Sequence, residues 1–237
     1  MKLSFAGERV LAVVAHPDDA ELLCAGTLAR ARDDGAAIAV LVLAKGDKGQ
    51  PDRRIKNLPA VRWKETKAAA VGLLMAEVYR PRFPDGELAD SPKSRRTVVE
   101  TLRHFRATLV LAHAPEDYHP DHRAASALTE AATWFAASRG HRTATEPLAE
   151  PPALWFMDTL NMSGFRPGFY VDISTYTGLK EEMLACHRSQ LARGQDRSFS
   201  PLLDLMRIQY GTRGAQAGVA AAEAFRIHEA FKRTRAW

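Results

Sequence analysis

Residues 9–22 read RVLAVVAHPDDAEL, and this stretch does most to decide the fold. Its first part, Arg9–Ala15, is a near-continuous aliphatic run rich in valine, which is typical of a parallel strand covered on both faces. A polar turn that begins at His16 comes next, and a helix is expected over Ala20–Asp34, closing at Gly35. A strand, a polar turn and a helix in this order predict the first unit of a parallel α/β sheet.

The same alternation of strand and helix continues along the chain. Further strands are expected at Ala36–Leu43, Glu77–Phe83, Thr108–His113, Leu154–Asp158 and Phe169–Ile173. Helices are expected from Pro59 to Leu74, from Ser91 or Ser94 to His104, from the HPDH segment to Ala137, over Thr177–Ala192 and over Ser200–Phe231, with Arg193–Ser198 as a polar link. The prediction is an α/β fold: a Rossmann-like doubly wound sheet, mostly parallel, with helices on both faces.

The strand order of such a sheet decides which motifs meet. In the order 3-2-1-4-5 the first and fourth strands are neighbours, about 4.8 Å apart. The segments AHPDDAEL at 15–22 and HPDH at 119–122 follow those two strands. Because ligands bind beyond the carboxyl ends of the strands where the order reverses, both segments are expected to line one crevice.

Length and composition favour one globular domain over residues 1–237, since 237 residues with 46% hydrophobic content can form one large core. Cys24 and Cys186 lie far apart in helix-like patterns, so reduced core cysteines are expected rather than a disulfide. The sequence shows neither a secretory leader nor an apolar run long enough to cross a bilayer. These features predict a cytoplasmic protein with no membrane span.

The net charge of +5 and the pI of 9.4 do not by themselves indicate a nucleic-acid partner. The basic residues are spread along the chain, with only a modest concentration over Arg226–Arg235. A solvated face or a mild attraction to an acidic small molecule is the interpretation that this spread favours.

Two histidines and a carboxylate in the two motifs predict a metal site. Catalytic zinc commonly takes three protein ligands and keeps a position open for water. His16, Asp19 and His122 supply that number of ligands, although similar sites accept other divalent ions. Either motif alone would more often be a structural turn or a helix start; their joint occurrence after two buried strands favours the metal site.

Three neighbouring residues remain for proton transfer. Asp18 cannot easily face the same way as Asp19, so it is free to act as a general base towards a metal-bound water. His119 lies three residues before His122, where a protonated imidazole would stabilise an oxyanion and protonate a leaving amine. Asp121 is expected to hold the tautomer of His119 and to raise the pKa of its imidazole. His104, His113, His141 and His228 are interpreted as ordinary surface or core histidines.

The two motifs resemble those of the PIG-L / LmbE-like deacetylase family, which includes N-acetylglucosaminyl-phosphatidylinositol deacetylases and bacterial deacetylases of mycothiol and bacillithiol synthesis. The resemblance rests on AHPDDAE at Ala15–Glu21 and HPDH at His119–His122. It implies a zinc-dependent N-deacetylase that acts on a small-molecule 2-acetamido sugar conjugate of the N-acetylglucosamine type. It also implies the ligand, base and oxyanion roles given above, and a homo-oligomer.

Weaker similarities extend over most of the chain. Arg62 and Glu65 in RWKE resemble the family's RxxE pair, which makes Arg62 a candidate for gripping a polar substrate group. Asp85 in FPDG resembles a carboxylate that meets sugar hydroxyls. HRSQ at His187–Gln190 and AEAF at Ala222–Phe225 also resemble late family segments, but the sequence assigns them no chemistry.

Other functions stay open from the residues alone. The substrate could be an acetylated amine that is not a sugar. Two histidines and one carboxylate also describe the site of Fe(II) oxygenases, although the parallel sheet and the additional acid and base residues disfavour that class. A sugar-binding module without chemistry is a third hypothesis, disfavoured because all the catalytic positions are filled. A nucleotide-binding module is disfavoured because no glycine-rich phosphate fingerprint follows the first strand.

Overall fold

A computed structural model describes residues 4–51, 53–80, 82–195 and 201–230. The strands are β1 (Arg9–Val14), β2 (Ala37–Val42), β3 (Glu77–Tyr79), β4 (Leu109–His113), β5 (Ala153–Met157), β6 (Phe169–Asp172) and β7 (Ala222–Ile227). The α-helices are α1 (Asp19–Leu23), α2 (Ala25–Asp33), α3 (Leu58–Lys67), α4 (Pro92–Phe105), α5 (Pro120–Ala136), α6 (Thr177–Ala185), α7 (Arg188–Leu191) and α8 (Leu202–Ala217). A π-helical segment, Ala68–Leu73, follows α3, and a 3-10 turn, Ala192–Gln195, follows α7.

The strands form one sheet in the order β3-β2-β1-β4-β5-β7-β6. The first five are parallel, which confirms the predicted order 3-2-1-4-5, and β7 joins antiparallel to both β5 and β6. The expected α/β class is therefore confirmed, with an antiparallel extension at one edge.

Alternate residues of β1 belong to two separate hydrophobic cores, one on each face of the sheet. Val10, Ala12 and Val14 pack in the core that includes residues of α1, α2, α6 and α8. Leu11 and Val13 pack in the core that includes residues of α4 and α5. Burial on both faces explains why the strand is a continuous aliphatic run rather than an alternating one.

The helix expected over Ser200–Phe231 is wrong in its second half. Helix α8 ends at Ala217, where Gly218 takes a left-handed conformation with φ 73°. The AEAF segment instead belongs to β7, which is paired on both sides. Alanine and glutamate favour a helix locally, but burial between two strands overrides that preference. Ser200, Phe231 and residues 196–198 of the expected link lie outside the described residues.

Three other boundaries differ from expectation. The helix after β1 is divided at Cys24 into α1 and α2, and the helix over Thr177–Ala192 is divided at His187. The third strand ends at Tyr79, although Phe83 still forms an isolated bridge with Ala44. The expected serine cap of α4 is present, because Ser91 and Ser94 form a reciprocal capping box.

Within the described residues, no helix has the length and apolar character that a bilayer crossing requires.

Candidate active site

The carboxyl ends of β1 and β4 open into a cavity of about 420 Å³. The two strands pair in parallel, so the segments that follow them leave the sheet side by side. The cavity lining includes every residue that the sequence singled out for the site: His16, Asp18, Asp19, Arg62, Asp85, His119, Asp121 and His122. The structure therefore brings the two motifs, about a hundred residues apart, into one pocket.

Asp19 lies between the two histidines with which it was expected to bind a metal. Its Oδ2 is 3.4 Å from Nδ1 of His16, and its Oδ1 is 3.4 Å from Nε2 of His122. Two ligands that each lie about 2.0–2.2 Å from a tetrahedral zinc are roughly 3.3 Å apart. The two distances involve different oxygens of Asp19. Among the described residues, the groups in which one ligand atom from each residue lies within 4.8 Å of the others are His16, His119 and His122, and Asp19, His113 and His122. The nitrogen and oxygen donors of the cluster fit a divalent cation.

The raised pKa values of His16 and His122 also favour a cation in this cluster. Burial alone lowers the pKa of His16, but hydrogen bonds with Asp121 and Asp19 outweigh burial and raise it to about 10. Burial likewise lowers the pKa of His122, and the charge of Asp19 and the hydrogen bond with Asp117 raise it to about 9. The buried carboxylates are thus stabilised by positive charge beside them. A bound divalent cation would supply that charge, and the two imidazoles would then be neutral.

Asp18 is bound by Arg62. The Nη2 of Arg62 donates to Oδ2 of Asp18 at 3.0 Å and also to the carbonyl oxygen of Pro17. Asp18 is 7% exposed, and its backbone has φ 102°, which is rare for a residue with a side chain. Burial raises the pKa of Asp18, while the positive charge of Arg62 opposes that rise. A raised carboxyl pKa suits a general base.

Asp121 contacts a different histidine from the one expected. Its Oδ2 lies 3.0 Å from Nε2 of His16, where it can orient that imidazole. Only its backbone N–H meets His119, by donating to Nδ1 at 3.1 Å. Burial, followed by the charges of His122 and His16, lowers the pKa of His119, so a neutral ring with its hydrogen on Nε2 is favoured over the expected protonated one.

Asp85 binds the loop that forms part of the cavity rim, Lys45–Gln50. Its two carboxylate oxygens accept from the backbone N–H groups of Gly46 at 2.7 Å and Lys48 at 3.0 Å. Gly46 has φ +70°, and a Cβ atom there would lie 2.6 Å from the side chain of Arg62. The glycine is thus required by its backbone conformation and by the close approach of Arg62.

The sequence analysis did not predict two residues of the site, Asp117 and His113. Asp117 is buried and lies 3.1 Å from Nδ1 of His122, the position from which a carboxylate orients a metal-binding histidine. His113 was taken as an ordinary histidine, but its ring stacks on His122 at 4.0 Å and its Nε2 is 3.3 Å from Asp19. That Nε2 also accepts from the N–H of Ala15. The position of His113 at the carboxyl end of a buried strand was the available signal.

Residues 11–133 match the family model described as GlcNAc-PI de-N-acetylase, PIG-L. The chain belongs to this family. A curated relative, diacetylchitobiose deacetylase of Thermococcus kodakarensis, is 27% identical over 213 residues, which cover 86% of the chain and 78% of the relative. The match to the family model spans both HPDD and HPDH.

Solved structures resemble nearly the whole chain. The conserved protein TT1542 of Thermus thermophilus is 32% identical with a TM-score of 0.79, over 97% of this chain and 100% of that one. The N,N'-diacetylchitobiose deacetylase of Pyrococcus horikoshii is 25% identical with a TM-score of 0.80, over 92% of this chain and 83% of that one. The likeness to the hydratase GalB, 21% identical with a TM-score of 0.80 over 96% and 99% of the two chains, shows the fold alone. Since one fold supports different reactions, the chemistry has to be argued from the site.

Proposed function

We propose that the protein is a metal-dependent N-deacetylase that removes the acetyl group from a 2-acetamido sugar conjugate of the N-acetylglucosamine type. The observation that carries the proposal is the cluster of His16, Asp19 and His122 with Asp18 beside it, inside the cavity. The membership of the PIG-L family and the similarity to diacetylchitobiose deacetylases support the reaction and the sugar class.

In this proposal His16, Asp19 and His122 hold zinc or another divalent ion. When bound, such an ion polarises the acetyl carbonyl and lowers the pKa of a bound water. Asp121 and Asp117 orient the imidazoles of His16 and His122 through the nitrogen atoms that they contact. The residues of the chain then need only to move protons and to stabilise charge.

Asp18 takes a proton from the attacking water as the oxygen bonds to the acetyl carbon. The developing oxyanion accepts a hydrogen bond from Nε2 of His119. When the carbon–nitrogen bond breaks, Asp18 returns its proton to the leaving amine, and the products are acetate and a free amine. Arg62 and Asp85 line the same cavity and are proposed to meet polar groups of the substrate.

Acetate release from a panel of acetylated amines, measured in parallel with bound metal, tests the function. The panel includes N-acetylglucosamine conjugates and acetylated amines without a sugar. The proposal expects metal-dependent acetate release from the sugar conjugates, equal with and without oxygen. Release only from the other amines would overturn the sugar class, and a requirement for oxygen would support the oxygenase alternative.

Both cysteines are free, which accords with a cytoplasmic protein. We therefore propose that the protein is cytoplasmic. We also propose that it self-associates and that its partner is a small molecule rather than a nucleic acid.

A further inference from the structure

The HRSQ segment, His187–Gln190, contacts the elements that form one wall of the cavity. Nε2 of His187 lies 3.3 Å from Oε1 of Glu21 in α1. Gln190 donates from Nε2 to the carbonyl oxygen of Gly49 in the rim loop at 3.1 Å. Three of its four residues are buried, with His187 0%, Ser189 4% and Gln190 2% exposed, while Arg188 is exposed. It therefore holds two parts of the cavity wall to each other.

The third contact of the segment is with α3. The backbone N–H of Ser189 donates to Oε1 of Glu65 at 2.9 Å, and its hydroxyl donates to Oε2 at 2.6 Å. Both oxygens of Glu65 are thus bound by one residue, which fixes the position of the carboxylate and of the helix that carries it. Neither Ser189 nor Glu65 is among the residues that line the cavity.

Arg62 lies one turn before Glu65 on the same helix, so the two side chains share a face. Arg62 in turn binds the carbonyl of Pro17 and the carboxylate of Asp18. A residue with a side chain at φ 102° keeps that backbone conformation only when its surroundings fix it. Arg62 helps to fix this conformation, because it binds both the carbonyl oxygen of Pro17 and the side chain of Asp18.

We propose that Glu65 and Ser189 are positioning residues that orient Asp18 through Arg62. This proposal rests on the proposed role of Asp18 as the base. Glu65 and Ser189 touch no substrate and move no proton. They fix the rotation of α3, which places the guanidinium of Arg62 against the turn that carries Asp18.

The first test measures amide hydrogen exchange of the peptide Asp18–Leu23 in the variants Glu65→Gln and Ser189→Ala. Both variants should exchange on the order of tenfold faster there than the wild type, because their turn is held less firmly. The matched control is Glu181→Gln, whose carboxylate accepts from Arg207 and Tyr210 away from the cavity. Exchange of Asp18–Leu23 equal to that of the control would overturn the proposal, whether or not the protein releases acetate.

The second test is a double-substitution cycle with Arg62→Lys on acetate release. Alone, Glu65→Gln should lower kcat on the order of tenfold while metal content stays within about twofold and KM, which reports the proposed contact of Arg62 with the substrate, changes less than kcat. In the Arg62→Lys background, the same change should alter kcat by no more than about twofold, because the residue through which it acts is already lost. Multiplicative losses, or a rise in KM alone, would contradict the path through Arg62. Absence of acetate release from the wild type would count against the proposed function, and hydrogen exchange would then decide on the positioning role.

Discussion

The motif loops and the C-terminal third of the chain both surround the cavity, but they contribute different things. The loops after β1 and β4 place His16 and His122 each 3.4 Å from an oxygen of Asp19. The C-terminal third contributes side chains that bond to the elements behind those loops. The comparison teaches that the reactive groups and the groups that hold them in place come from different parts of the sequence.

The second region includes a buried ion pair. Nζ of Lys180 lies 2.6 Å from Oε1 of Glu223 and donates to the carbonyl oxygen of Leu22 at 2.9 Å. Glu223 also accepts from the N–H groups of Gly26 and Thr27, at the start of α2. Glu223 thus caps a helix that is distant in sequence, and the pair secures the break between α1 and α2.

The largest expected effect is at His122, a proposed ligand in the first region. His122→Ala should abolish stoichiometric metal binding and reduce acetate release to the background rate, because two ligands hold a divalent ion poorly. Metal content of the purified variant and its acetate release measure both effects. The control is His104→Ala, on α4 and outside the cavity lining. A His122→Ala protein that retained one tightly bound ion would contradict the ligand assignment.

The next prediction distinguishes Asp18, the proposed base, from the proposed ligands beside it. Asp18→Asn should lower kcat by about 10²–10⁴-fold, because the amide has no carboxylate to accept the proton. Its metal content should equal that of the wild type. Asp90→Asn, at an exposed carboxylate paired with Arg95, is the matched control. Wild-type turnover in Asp18→Asn would show that another group is the base.

A smaller effect is expected from the carboxylate behind His122. Asp117→Asn should weaken metal affinity or activity by about 10- to 100-fold, since the amide can still accept a hydrogen bond but carries no charge. Metal titration of the stripped variant gives the affinity. The same change at Asp172, on the edge strand β6, should leave the affinity unaltered. Equal affinities for the two variants would remove Asp117 from the site.

The smallest effect on turnover is expected in the second region. Lys180→Met should lower the free energy of unfolding by about 3–5 kcal/mol, because Glu223 would keep a buried charge without its partner. Turnover per folded molecule should stay within about twofold of the wild type. Denaturant unfolding and activity, measured on the same samples, provide the comparison. The variant Lys180→Met with Glu223→Gln should be more stable than Lys180→Met alone; the reverse order would contradict the account of the pair.

The sequence predicted the parallel part of the sheet mainly because β1, β2 and β4 are buried aliphatic runs, each followed by a polar segment and a helix. The position of the site followed from it, since β1 and β4 are neighbours in the predicted order. The residues of β7 could not be placed in the same way, because Ala222–Phe225 favours a helix locally and forms a strand only through its pairing with β5 and β6.

Contacts between side chains were the hardest to predict. The contact of Asp121 with His16 rather than His119 depends on how two loops pack, which no spacing within one motif reveals. Asp117 and His113 enter the site for the same reason. A role for the HRSQ segment could not be predicted from the sequence, because it depends on the contact of Ser189 with Glu65, 124 positions earlier.

The central claim is that side chains from both motifs bind one cation. A crystal structure of the zinc-loaded protein with an anomalous difference map at the zinc edge tests this most directly. The account predicts one strong peak about 2.0–2.2 Å from ligand atoms of His16, Asp19 and His122, with Asp18 beyond bonding distance. A peak bonded to His113 or His119 in place of these ligands, or the absence of a peak in the cavity, would contradict it.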